Sequence, residues 1–263
     1  MMRQKLWSAG LVFLMAMLIL GSPGRGVRAF EKPKNTEKSS RVIVIFVDMS
    51  GSANKARRTV YKEAFEMIYQ HLDQGDRVVV GTITGRSYID FRAAVNEEIP
   101  EKSIWVNRLQ FENNLTKTKN KIRQEVERLL SRKRGTMQTE ILNSLNIADS
   151  IFHGEENRRK ILVILSDMIQ DSKEYKFDRD DITSRYISQT IRVRQQNNLI
   201  PKLNGVKVYV AGATAADPGK FRSIQNFWAR YFDESGADFS PHRYGHSLIE
   251  FEKKVVTRIF HEN

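Results

Sequence analysis

The sequence predicts an α/β domain: a three-layer α/β/α, Rossmann-like arrangement built on a mostly parallel sheet. Three observations lead there. Val42 to Val47 and Ile161 to Leu165 are unbroken apolar runs rich in β-branched residues, the pattern of strands buried on both faces. Several segments carry apolar residues at helical spacing, as in Ala56, Val60, Ala64, Phe65, Ile68 and Leu72. Strand and helix patterns alternate through most of the chain, which is the order of a parallel sheet covered on both sides. At 263 residues the chain has room for one such domain and little more.

The first 29 residues stand apart from that domain. Arg3 and Lys5 precede an apolar run from Leu6 to Leu20, Gly21 to Gly24 ends it, and Val27, Arg28 and Ala29 form a small-x-small pattern. These are the three parts of a secretory signal peptide, with cleavage expected after Ala29. The run is about fifteen residues, short of the roughly twenty that span a bilayer. Residues 30–40 are polar, include Pro33 and read as a linker, so the domain is expected over 41–263. The chain has no cysteine, hence no disulfide and no lipid-modified cysteine. Export without cysteine suits a bacterial periplasmic or secreted protein better than an animal extracellular domain.

Charge narrows the partners. The full chain is formally +12, and loss of Arg3, Lys5, Arg25 and Arg28 leaves 39 basic against 31 acidic residues, or +8. Such a surface suits acidic proteins or the neighbourhood of phospholipid headgroups, and it also simply keeps a protein soluble. Nucleic acid is not expected: no recognition fingerprint or glycine-rich phosphate loop is present, and an exported protein meets little of it.

The remaining elements follow in order. Gln74 to Asp76 is a turn, and Arg77 to Thr84 a second strand around Val78, Val79 and Val80. Tyr88 to Val95 reads as a short edge strand, and Glu97 to Asn114, with Pro100 and Trp105, as loop with room for one short element. Thr116 to Leu130 and Ile141 to Ile151 read as helices, separated by the loop Arg132 to Thr136. Lys173 to Asp181 is charged and reads as a surface excursion before a helix over Ile182 to Gln196. Val206 to Val210 is a strand. Pro218 opens a helix whose Trp228, Tyr231 and Phe232 have the spacing of core residues rather than of a binding face. Gly245 to Phe251 reads as a last strand and Val255 to Phe260 as a terminal helix or tail.

In an open parallel sheet, ligands sit beyond the C-terminal ends of the strands. Asp48, Ser50 and Ser52 lie there, directly after the first strand, with one carboxylate and two hydroxyls on alternate residues of a tight loop. Oxygen ligands of this kind suit a hard cation, Mg²⁺ first, with Mn²⁺ or Ca²⁺ as alternatives. A serine at this place also serves as an ordinary helix cap, and the two roles are compatible. Asp167 occupies the matching position after the strand Ile161 to Leu165. His242 and His246 are four apart, but Pro241 and Gly245 argue against the helix that a zinc pair would need.

This pattern resembles the von Willebrand factor A family and its metal-ion-dependent adhesion site. That family has Asp-x-Ser-x-Ser after the first strand, a threonine in a later loop and an aspartate after the fourth strand. Asp48, Ser50 and Ser52 match the first motif, Gly135-Thr136 the second (Thr139 is the fallback) and Asp167 the third, within a likeness covering roughly 41–251. The resemblance implies that Ser50, Ser52 and Thr136 ligate directly while Asp48 and Asp167 act through water. The ion then accepts a further oxygen, often a carboxylate of a protein partner. Met168 departs from the family, many members of which have glycine after that aspartate. Arg132, Lys133, Arg134 and Asp171 are further candidates for partner contact, although a solvated helix end and a solvated loop acid account for them more simply. No nucleophile–histidine–carboxylate set can be assembled around these loops. The expected function is therefore a metal-dependent protein-interaction module rather than an enzyme. The alternatives are a metal-dependent hydrolase of an anionic substrate and an envelope assembly scaffold with a vestigial site.

Overall fold

A computed structural model describes residues 40–252, except 51–54, 104, 133–137 and the side chain of Asp90. The expected leader, the linker up to residue 39 and the tail from 253 lie outside the described residues, as do Ser52, Lys133, Arg134 and Thr136. No described helix is long and apolar enough to cross a membrane.

Strand β1 (Arg41–Asp48) is followed by helix α1 (Lys55–Gln70), β2 (Arg77–Ile83), the single turn α2 (Ser87–Asp90) and β3 (Val95–Glu98). Next come α3 (Arg108–Leu130), α4 (Ile141–Phe152), β4 (Arg159–Leu165), α5 (Ser184–Gln196), β5 (Lys207–Ala211), α6 (Pro218–Glu234) and β6 (Tyr244–Gly245). They form one six-stranded sheet in the order β3-β2-β1-β4-β5-β6. Only β3 runs antiparallel, at one edge, where it pairs with β2. The expected three-layer, Rossmann-like architecture is thus present in the sheet order itself.

Every residue of β1 is buried because the strand is covered twice. Val42, Val44 and Phe46 face a core shared with Leu142 and Leu145 of α4, Ile187 of α5, and Phe227 and Trp228 of α6. Ile43, Ile45 and Val47 face the opposite core, with Tyr61 and Phe65 of α1 and Ile122 and Val126 of α3. The period-2 alternation of a strand sends these neighbours to opposite faces. Burying each such side chain contributes roughly 1.5–3 kcal/mol, so both helical layers are held by the central strands.

Some expectations need correction. Residues 88–95 do not make the edge strand. Ser87–Asp90 is a helical turn, and the edge strand is Val95–Glu98, which starts at the last residue of the expected strand and runs into the stretch expected to be loop. The third helix begins at Arg108, not Thr116, because the Asn107 side chain accepts from Leu109 N at 2.8 Å and caps it there. Residues 173–181 are more than a surface excursion: Phe177 is fully buried, 4.5 Å ring to ring from Phe227. The last strand is only Tyr244–Gly245. The segment beyond it is tied instead by Glu252, which pairs with Lys207 and Arg159. As expected, Trp228, Tyr231 and Phe232 are core residues.

Candidate metal centre

Strand order places the site. β1 continues to β2 on one side and neighbours β4 on the other, so the sheet reverses its winding between β1 and β4. Val47 pairs with Leu165, which sets Asp48 at the end of β1 and Asp167 just past the end of β4 at that reversal. In open α/β sheets such a reversal is where ligands commonly bind.

Asp48 is fully buried and its carboxylate is held from two sides. Oδ1 accepts from Ser50 N at 2.8 Å and Oδ2 from Ser166 Oγ at 2.8 Å. Burial raises its pKa, the neighbouring Asp167 charge raises it further, and the bonds from Ser50 and Ser166 only partly oppose this. Asp167 is also buried. Its Oδ1 accepts from Ile169 N at 2.9 Å, and its Oδ2 pairs with Arg57 Nη1 at 2.8 Å. Two desolvated carboxylates thus share one corner with one guanidinium from α1.

Met168 shapes the Asp167 loop. Its φ of 66° is left-handed, the region that favours glycine. Here the strain is held by neighbours: the side chain is fully buried, Met168 N donates to Ser166 Oγ at 3.0 Å, and its carbonyl accepts from Trp228 Nε1 at 2.9 Å.

The loop entering α4 is fastened to the same place. Thr139 and Asp171 exchange backbone hydrogen bonds, 2.9 Å each way. Gln170 Oε1 accepts from Ile141 N and Leu142 N at 2.8 and 3.1 Å and caps α4, whose own cap residue Glu140 makes no side-chain cap. Thr139 is buried. Asp171 pairs with Lys176, the ordinary role of a loop acid, and Arg132 is exposed.

Sequence reasoning missed Arg57, Tyr61, Ser166 and Tyr244. The Tyr61 and Tyr244 hydroxyls are both sealed from solvent and have no hydrogen-bond partner among the described residues. Burial raises both pKa values, and the Asp167 charge adds to each; Asp48 adds to Tyr61 as well. The two phenols therefore stand near the paired acids. The only available signal was Arg57 and Tyr61 four apart in α1, one face of a helix leaving the Asp48 loop.

The residues suit a hard cation. Asp48, Ser50 and Asp167 offer oxygen only, two carboxylates lie buried side by side, and two orphaned hydroxyls are close by. Among the described residues no three His, Cys, Asp or Glu side chains gather, so a cage made wholly of acids and histidines is not what this corner offers.

No family model matches the chain, and no curated protein does. Solved structures do. A von Willebrand factor type A protein from Catenulispora acidiphila is 16% identical, over 75% of this chain and 43% of that one, with a TM-score of 0.39. Manganese-loaded TRAP protein of Plasmodium vivax is 12% identical over 72% and 63%, at 0.39. The conserved hypothetical protein BatB of Bacteroides thetaiotaomicron is 13% identical over 72% and 86%, at 0.38. The chain thus spans less than two thirds of the first two. Overlaps this shallow assign neither a family nor an activity.

Proposed function

We propose that this protein is an exported interaction module that binds one divalent cation, Mg²⁺ first, and uses it to grip a carboxylate on a protein partner. The observation that carries the reading is the pair of buried acids, Asp48 and Asp167, at the reversal of the sheet. Two carboxylates out of water repel each other, and a cation relieves that cost. Ser50, Ser52 and Thr136 would ligate beside them, with Asp48 and Asp167 orienting bound water. The bound ion would supply an open coordination position for a partner oxygen. The chain's own residues do the rest. Ser166 and the Ser50 amide fix the Asp48 carboxylate, and Ile169 N and Arg57 hold that of Asp167. Among the described residues, the charged groups that perturb Asp48 and Tyr61 include no histidine, which favours binding over base catalysis.

The test is calorimetric titration of the chelator-treated, dialysed protein, with residues 1–29 removed, with Mg²⁺, Mn²⁺ and Ca²⁺, beside Asp48→Ala. Saturable uptake of about one ion, lost in the variant, is the expected result. Uptake unchanged in Asp48→Ala would place the metal elsewhere, and no uptake, even with an acidic partner present, would leave a scaffold without a working site.

A further inference from the structure

A second charged corner lies on the α4–α5 side of the sheet. Arg194 of α5 is only 3% exposed, yet it makes no ion pair with a described residue. Its hydrogen bonds go to neutral acceptors: Nε to Tyr231 Oη at 2.8 Å, and Nη2 to Leu199 O at 3.1 Å, Asn143 Oδ1 at 3.3 Å and Leu142 O at 3.4 Å. Nη1 makes no hydrogen bond with a described residue, and Arg194 lines the adjoining cleft. A buried guanidinium without a counter-charge is costly, and an anion in the cleft would offset that cost.

The cleft encloses about 450 Å³. Arg86, Lys173 and Arg194 line it with Glu140 and Glu174. The cleft shares Gly85, Arg86, Glu140 and Asn143 with a neighbouring cavity of about 480 Å³. That annex is bordered by Tyr88, Ile89 and Leu199, which are 66%, 70% and 40% exposed. Large apolar side chains left in water beside a polar pocket are the usual composition of a binding cleft.

We infer that this cleft is a metal-independent binding site for a monocarboxylate attached to an apolar side chain, such as the C-terminal end of a peptide. Arg194 Nη1 takes the carboxylate, Lys173 and Arg86 attract it, and the apolar side chain lies along Tyr88, Ile89 and Leu199. Nη1 is the nitrogen of Arg194 left open, and a carboxylate oxygen accepts from it in a charge-assisted hydrogen bond.

The experiment titrates ¹⁵N-labelled, metal-free protein with N-acetyl-leucine, N-acetyl-leucinamide and inorganic phosphate, each to about 20 mM, which reaches millimolar affinity. N-acetyl-leucine is expected to shift the Arg194 Nε–H and Asn143 side-chain amide signals saturably, and the amide and phosphate are not. Arg194→Met should abolish the response. That variant also loses the bonds to Tyr231 and Leu199, so Lys173→Glu, on the exposed rim, is the second variant; it should weaken binding about fivefold. No saturable shift of those signals overturns the assignment, as does an equal response to the amide or a stronger one to phosphate. Because no metal ion is added, failure here is distinct from failure of the metal centre.

Discussion

Arg57 Nη1 lies 2.8 Å from Asp167 Oδ2, and both side chains are largely buried, at 14% and 5% exposure. The guanidinium supplies positive charge where the proposed metal ion would supply it. Replacing Arg57 with Met should destabilise the metal-free protein by about 3 kcal/mol, because Asp167 is left charged and buried. Mg²⁺ should then stabilise the variant more than the parent, since it binds only the folded form and no longer competes with Arg57. Denaturant unfolding with and without Mg²⁺ measures both. An equal Mg²⁺ increment in the two proteins would mean that Arg57 and the ion do not share a site.

Met168 sets packing against backbone strain. Met168→Gly relieves a left-handed φ, worth about 1 kcal/mol, but removes a fully buried side chain, which costs about 2–5 kcal/mol. A net loss of about 2 kcal/mol is expected in urea unfolding. A net gain would mean that the loop relaxes to fill the space.

At the other end of the strands, Asp76 accepts from Arg41 N at 3.1 Å, Arg41 Nε at 3.0 Å and Asp73 N at 2.8 Å, and also pairs with Arg41 Nη2. The two side chains are 3% and 2% exposed. Arg41→Met should cost about 3–5 kcal/mol because a buried carboxylate loses its partner. Adding Asp76→Asn should recover part of that loss, and neither change should alter metal affinity. A metal affinity that falls with Arg41→Met would contradict the separation of the two ends.

Glu252 should govern part of the acid limb of stability. Burial pushes its carboxyl up, but the bonds from Lys207 and Arg159 outweigh this and bring it down to about 2, from an ordinary 4.5. A depressed acid stabilises the fold fully above its ordinary value and loses that contribution as pH falls toward its folded value. The stability gap between parent and Glu252→Gln should therefore close as pH drops from 4.5 to about 2. A gap that stays constant through that window would show that Glu252 acts by packing alone.

Much of the framework was legible because its signals are local. Val42 to Val47 and Ile161 to Leu165 announce strands buried on both faces, since nothing else tolerates so many consecutive apolar residues. Asp48, Ser50 and Asp167 were legible as a set because strand ends in a parallel sheet point to one crevice. The edge strand was misplaced because Val95–Glu98 is half polar. Only its pairing with β2 makes it a strand. Phe177 was hidden in a charged stretch, where one buried aromatic leaves no period to read.

The sequence by itself determined the α/β class, the central strands and the acids that end them, because burial and turn chemistry are written in residue order. Tertiary structure decided what faces those acids. Arg57 and Tyr61 of α1, Ser166 and Tyr244 come from three separate segments, and the capping of α4 by Gln170 joins two loops that residue order keeps apart. Electrostatics and hydrogen bonding depend on distance in space, and only the packed sheet brings these groups within reach of one another.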